Sequence, residues 1–122
     1  AHLVLRGGTS GPNFSAEHIR AAAELLRKNN LPPQLMVDCS HANSGKDPVR
    51  QPAVAADLAA QIAGGDRAIS AVMIESNLLG GTQDYQAKPL VHGRSITDAC
   101  LSWEQTLPLF ATLAEAVKRR RG

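Results

Sequence analysis

The chain has 122 residues, the size of one domain and too short for two well-packed ones. Thirteen Lys and Arg stand against 11 Asp and Glu, a formal net charge of +2. That balance argues against nucleic-acid binding through bulk charge, although Lys118, Arg119, Arg120 and Arg121 form a local basic tail. No apolar run reaches the roughly 18 residues of a membrane span, and no charged-then-apolar signal segment is read at the start, so Asn13-Phe14-Ser15, though it matches a glycosylation acceptor, is given little weight. Two cysteines, Cys39 and Cys100, are too few for a disulfide framework, and a reduced, cytoplasmic setting is expected.

In chain order, Leu3-Val4-Leu5 reads as a first strand. Ser15 then caps a helix in which Ile19, Ala22, Ala23 and Leu26 recur at helical spacing, until Asn29-Asn30-Leu31-Pro32-Pro33 ends it. Leu35-Met36-Val37 is a second strand. Pro52 suits a helix start, Val54, Leu58 and Ile62 follow at four-residue steps, and Gly64-Gly65 supplies the stop. The third strand, Ala68 through Glu75, is apolar on both alternating faces apart from Ser70 and its last residue, as in a parallel sheet covered on both sides. A Gly- and Pro-bearing loop follows, and a last helix is predicted from about Leu107 to Lys118 with Phe110, Leu113 and Val117 on one face, packed by Trp103.

Strand starts a little over thirty residues apart match a repeating βα unit. Right-handed crossovers would make the strands parallel, with their carboxyl ends at one edge. A small doubly wound sheet and a piece of a (β/α)8 barrel both fit this order. A whole barrel takes about 250 residues, a lone three-stranded parallel sheet exposes two edges, and the chain begins almost inside a strand. The expectation is one segment, residues 1–122, of an incomplete barrel.

Such folds place their polar machinery where strands end. The first strand runs into Arg6-Gly7-Gly8, the second into Asp38-Cys39-Ser40-His41-Ala42-Asn43-Ser44, the third into Glu75-Ser76-Asn77. With strands about 4.8 Å apart, Arg6, His41 and Glu75 can converge on one rim. Each also has a plain reading. Arg6 can pair with a carboxylate at the sheet end, or form an anion site that the Gly7 and Gly8 N–H groups approach. His41 can be a hydrogen-bonded structural histidine, and Asp98 a helix N-terminal carboxylate favoured by the dipole. Glu75 is harder to dismiss, because a carboxylate closing an apolar strand needs a cation or a donor. One imidazole and two carboxylates suit a divalent Mn, Fe, Co or Zn ion. Cys39 and Cys100 read as small buried thiols, Lys88 and His92 as solvated loop residues, and the basic tail as a helix end that complements its dipole.

Together these residues resemble a known family. Leu5-Arg6-Gly7-Gly8, Pro12-Asn13-Phe14-Ser15, Asp38 through Ser44, Gln61 through Gly65, Val72 through Ser76 and Gly93 through Cys100 match, in order, the C-terminal part of the type I 3-deoxy-D-arabino-heptulosonate 7-phosphate (DAHP) synthases, the phospho-2-dehydro-3-deoxyheptonate aldolases. The likeness covers essentially the whole chain, and Ser40 through Ser44 and Ser95 through Cys100 are its most specific motifs. Thr9-Ser10-Gly11 and the loop after Gly80 depart from the family pattern in length, which bears on loop shape more than on ligands.

The resemblance implies a (β/α)8 barrel of which this chain supplies strands six to eight, the N-terminal part being absent. It implies condensation of phosphoenolpyruvate with erythrose 4-phosphate, releasing phosphate, as the first step of the shikimate route to aromatic amino acids, in a homo-oligomeric enzyme. By the same resemblance His41, Glu75 and Asp98 hold a divalent metal ion, Arg6 contacts phosphoenolpyruvate, and His41 and Asp98 also face substrate. The family's fourth ligand, a cysteine, falls in the absent part, and neither Cys39 nor Cys100 replaces it. As a free chain, a non-catalytic fragment with weak metal or phosphate binding is the alternative, and a related phosphoenolpyruvate-using sugar-acid synthase is a further one.

Overall fold

The computed structural model describes residues 1–122. Strand β1 (Leu3–Leu5) is followed by helix α1 (Ala16–Lys28), strand β2 (Leu35–Asp38), two single 3-10 turns (His41–Asn43 and Pro48–Arg50) and helix α2 (Gln51–Ala63). Strands β3 (Ile69–Met73), β4 (Ser76–Asn77) and β5 (Leu101–Ser102) then lead into helix α3 (Trp103–Arg121). The main sheet has the order β1-β2-β3 with both pairings parallel: Leu5 lies beside Val37, and Val37 beside Val72. The βα alternation expected from the sequence is therefore present, as an α/β fold whose strands all end at one edge.

Local chemistry sets the helix ends. The Ser15 hydroxyl accepts a long hydrogen bond from the His18 N–H (3.4 Å) and meets the His18 ring at 2.7 Å, starting α1. Past its end, Asn30 takes a left-handed φ of 56°, which asparagine tolerates. Before α2, Asp47 accepts from the Val49 N–H at 3.0 Å, and after it Gly65, at φ 106°, turns the chain back towards β3.

Helix α3 begins four residues before the predicted start. Ser102 accepts from the Gln105 N–H at 3.2 Å while the Gln105 side chain accepts from the Ser102 N–H at 2.9 Å, a reciprocal cap that starts the helix there. Pro108 sits early enough that only the Glu104 carbonyl loses its helical partner. The packed stripe is also shifted: Thr106, Leu109 and Ala116 are buried with Leu113 and Val117 against them, whereas Phe110 is 48 % exposed. Trp103 is the first residue of α3, 46 % exposed, and sets its ring edge-on to Phe110 with centroids 5.9 Å apart.

The core lies between one face of the sheet and the helices. Leu35, Val37 and Ile69 meet Ile19 of α1, Val54, Leu58 and Ile62 of α2, and Leu109 of α3. Full burial of side chains such as Ile19, Leu35 and Leu58 contributes about 1.5–3 kcal/mol each. The other sheet face is not covered by this chain: Val4 is 39 % exposed and, of β3, only Ile69 is buried. The two-sided apolar pattern of the third strand thus does not correspond to two covered faces within these residues. No helix is long and apolar enough to cross a membrane.

Candidate metal centre

At the carboxyl edge of the sheet the chain leaves β2 through Asp38 and turns sharply. His41 opens the first 3-10 turn at φ 50°, a left-handed backbone that a residue with a Cβ adopts at a penalty of about 1–2 kcal/mol. Its carbonyl is held there by the N–H groups of Lys46 (2.7 Å) and Ser44 (3.3 Å). Asn43, 4 % exposed, secures the turn to the sheet: its Nδ2 donates to the Leu5 and Asp38 carbonyls (3.1 and 2.8 Å), and its Oδ1 accepts from the Asn13 N–H (2.7 Å).

The imidazole is oriented from behind by Asp38, which is 1 % exposed. Asp38 Oδ2 lies 2.7 Å from His41 Nδ1, and Asp38 Oδ1 accepts from the Ser40 N–H (2.7 Å) and hydroxyl (2.6 Å). With Nδ1 engaged, Nε2 points forward and lies 3.6 Å from a Glu75 oxygen and 3.8 Å from an Asp98 oxygen.

Glu75 stands two residues beyond β3, where the sheet has no further strand to offer. Its main chain is instead gripped by Gln51, 0 % exposed, whose Nε2 donates to the Glu75 carbonyl (3.1 Å) while its Oε1 accepts from the Glu75 N–H (2.9 Å). Asp98 arrives from the far end of the long loop. The short β4–β5 pairing, the Gly81–Cys100 bridge and the Thr82 hydroxyl on the Ser95 and Thr97 carbonyls (3.2 and 2.7 Å) close that loop and present Asp98 to Glu75. Asp98 therefore precedes α3 by several residues and is not a helix N-terminal carboxylate.

One ligand atom each from His41, Glu75 and Asp98 lie within 4.8 Å of one another. Donors around a tetrahedral ion at about 2.1 Å stand about 3.4 Å apart, so the three need only modest closure to fit. Metal-free, the same cluster is electrostatically uneasy. Burial raises the Glu75 pKa above the usual carboxylate range, the neighbouring Asp98 and Asp38 carboxylates push the same way, and His41 and a Ser40 hydrogen bond oppose them. Three carboxylates around one imidazole call for a cation.

Arg6 follows the last residue of β1; its side chain is exposed and enters none of the ion pairs. The expected use of the Gly7 and Gly8 N–H groups for an anion is overturned, because Gly7 donates to Asn13 Oδ1 (2.8 Å) and Gly8 to the Gly11 carbonyl (3.0 Å). Cys39 is a buried thiol as expected, whereas Cys100 is half-buried beside the cluster. Lys88 and His92 are exposed on the long loop. Two residues that hold the site carried no role in the sequence reading. A buried acid three positions before His41 was a usable signal for Asp38; Gln51 offered none, since only the fold brings α2's first residue to Glu75.

Parallel βα repeats that deliver an imidazole and a carboxylate to one sheet edge, with a second carboxylate brought there by the long loop, define an α/β protein with a candidate divalent-metal centre. The sequence profile of the DAHP synthetase I family matches residues 1–110, and the chain belongs to that family. It is 52% identical over 122 residues to the Phe-sensitive phospho-2-dehydro-3-deoxyheptonate aldolase of Escherichia coli K12, covering 99% of this chain and 35% of that protein. The tyrosine-inhibited aldolase of Schizosaccharomyces pombe is 52% identical over 124 residues, covering 98% and 33%. A solved phospho-2-dehydro-3-deoxyheptonate aldolase from Francisella tularensis superimposes with a TM-score of 0.94 at 49% identity, over 98% of this chain and 35% of that one. The chain thus spans about a third of the length of these relatives.

Proposed function

We propose that this chain is the C-terminal, metal-binding third of a DAHP synthase, forming strands six to eight of a (β/α)8 barrel. The complete protein would condense phosphoenolpyruvate with erythrose 4-phosphate, releasing phosphate, in the cytoplasmic route to aromatic amino acids. The order of the motifs from Arg6 to Asp98 supports the placement. So does the sheet face carrying Val4, which the remainder of a barrel would cover.

One observation carries the metal reading. With Nδ1 engaged by Asp38, the His41 Nε2 faces two carboxylate oxygens at 3.6 and 3.8 Å, an arrangement that a cation stabilises. His41, Glu75 and Asp98 would hold the ion, leaving room for a fourth ligand and a substrate oxygen. When bound, it supplies Lewis-acid polarisation of the erythrose 4-phosphate aldehyde. In the overall reaction C3 of phosphoenolpyruvate bonds to the aldehyde carbon, water adds at C2, and phosphate leaves. Arg6, exposed just beyond the end of β1, would bind the phosphate or carboxylate of phosphoenolpyruvate through a charge-assisted contact worth about 1.5–3 kcal/mol, and so fix the attacking geometry. The donor set suits Mn, Fe, Co or Zn alike.

In the complete protein, His41→Ala and Glu75→Ala are expected to abolish metal-dependent phosphate release and to weaken metal binding by calorimetry. Unchanged titrations in both variants would refute the ligand assignment. Arg6→Ala should raise the apparent Kd for phosphoenolpyruvate with metal binding intact. The isolated 122-residue chain is expected to release no phosphate above background; turnover by it alone would refute the partial-barrel reading.

A further inference from the structure

We infer that Gln51 is a positioning residue for the metal centre, acting as a one-residue substitute for the missing strand beside Glu75. The inference rests on the reading of His41, Glu75 and Asp98 as ligands.

Strand β2 stops pairing at Asp38, and the next main-chain bond, from the Cys39 N–H to the Met73 carbonyl (2.8 Å), is the last that joins it to β3. Beyond Met73 the chain bearing Glu75 has no strand on that side, because residues 41–43 have turned away to form the ligand-bearing 3-10 turn. A carboxamide carries the same N–H and C=O pair as a peptide unit. Gln51 presents that pair to the Glu75 carbonyl and N–H at 3.1 and 2.9 Å, reproducing strand pairing after the strand has ended. On the other side the Leu101 N–H donates to the same Glu75 carbonyl at 3.0 Å. The main chain of Glu75 is thereby fixed from both sides, and its carboxylate is aimed at His41 Nε2 and not at solvent.

Gln51 is fully buried, and both polar groups of its carboxamide are engaged by Glu75. It is also the first residue of α2, so the clamp ties the segment that follows His41 to the strand that delivers Glu75. Two ligands from separate βα units are held in one frame by a side chain whose hydrogen bonds go to the main chain of Glu75 and to neither ligand's side chain.

The test is Mn2+ binding to the complete protein, by calorimetry and by the electron paramagnetic resonance spectrum of the bound ion, for wild type, Gln51→Leu, Gln51→Glu and His41→Ala, with thermal melts in parallel. Gln51→Leu is expected to weaken binding about 10–100-fold, the range for removing an outer support of a ligand, and to change the spectrum. Gln51→Glu keeps an acceptor for the Glu75 N–H and should lie between Leu and wild type; if Gln51→Leu does not fold, this variant alone decides. Affinity within twofold of wild type and an unchanged spectrum in the folded Gln51 variants, with binding lost in His41→Ala, would overturn the inference and leave Gln51 a purely structural residue. Undiminished binding in His41→Ala would overturn the ligand reading itself, and the inference with it.

Discussion

Asp38 Oδ2 lies 2.7 Å from His41 Nδ1, behind the ring and out of solvent. A carboxylate in that position favours the tautomer with the proton on Nδ1 and leaves the Nε2 lone pair facing Glu75 and Asp98. Asp38→Asn keeps the volume but replaces one oxygen with an amide donor. Either the contact to His41 or one of the two contacts from Ser40 is then lost. Metal affinity in the complete protein is expected to fall about 10–100-fold, read by calorimetry. An affinity equal to wild type would show that the ring is oriented by the turn alone.

Glu75 gives a pH-dependent prediction. Its folded pKa is raised, chiefly by burial, so the folded, metal-free protein holds that proton more tightly than the unfolded chain does. Glu75 therefore favours the fold below its unfolded pKa, and that contribution is lost as pH rises through the raised folded value. At pH 7 in chelator, Glu75→Gln should melt at a higher temperature than wild type, and the gap should narrow as pH falls towards 4. Added divalent metal should reverse the order, because only wild type supplies the third ligand. A Glu75→Gln variant no more stable than wild type at pH 7 would contradict the crowding of carboxylates at this edge.

The pattern of the chain made much of this visible, for identifiable reasons. The βα order is written in short apolar runs and in caps such as Ser15, local signals that tertiary structure reinforces. Arg6, His41 and Glu75 are candidates because parallel strands end at one rim, whereas Asp98 enters only as the second carboxylate of the donor set that the family resemblance implies. Elements fixed by distant partners were not legible. Strands β4 and β5 are two residues each and exist only because the long loop returns across Glu75. Helix α3 begins four residues before the predicted Leu107 because the Ser102–Gln105 cap is decisive and Pro108, in the second turn, removes little. The glycines after Arg6 looked like an anion loop, yet Asn13 and Gly11 take their N–H groups. An apolar run such as that of β3 records burial in whatever completes the structure, and does not say which chain segment supplies it.

The two thiols should differ in reactivity. Burial, with the Asp38 carboxylate adding to it, pushes the Cys39 pKa up to about 12, and the residue is 0 % exposed. Cys100 is raised too, by burial first, but is only half-buried. Because the thiolate is the reactive form, a disulfide-exchange reagent at pH 8 should modify one thiol per native chain, slowly, and two after denaturation. Two equivalents from the native protein would contradict the placement of Cys39 beneath the sheet edge.

Gly7 links the Arg6 strand end to the His41 turn. Its φ is 76°, and an added Cβ would come within 2.7 Å of Ala42 Cβ and 2.9 Å of the Asn43 nitrogen. Gly7→Ala therefore combines left-handed strain with an overlap against backbone, and should destabilise by about 2 kcal/mol or more. Relief requires the turn bearing His41 to shift away from β1, so metal affinity should fall along with thermal stability. Gly8 is the control: an added Cβ there meets nothing within 4 Å, and Gly8→Ala should change stability by less than about 0.5 kcal/mol. Melting curves and metal titrations of the two variants, run side by side, check both statements. Equal stability in Gly7→Ala and Gly8→Ala would mean that the first loop does not pack on the turn that carries His41.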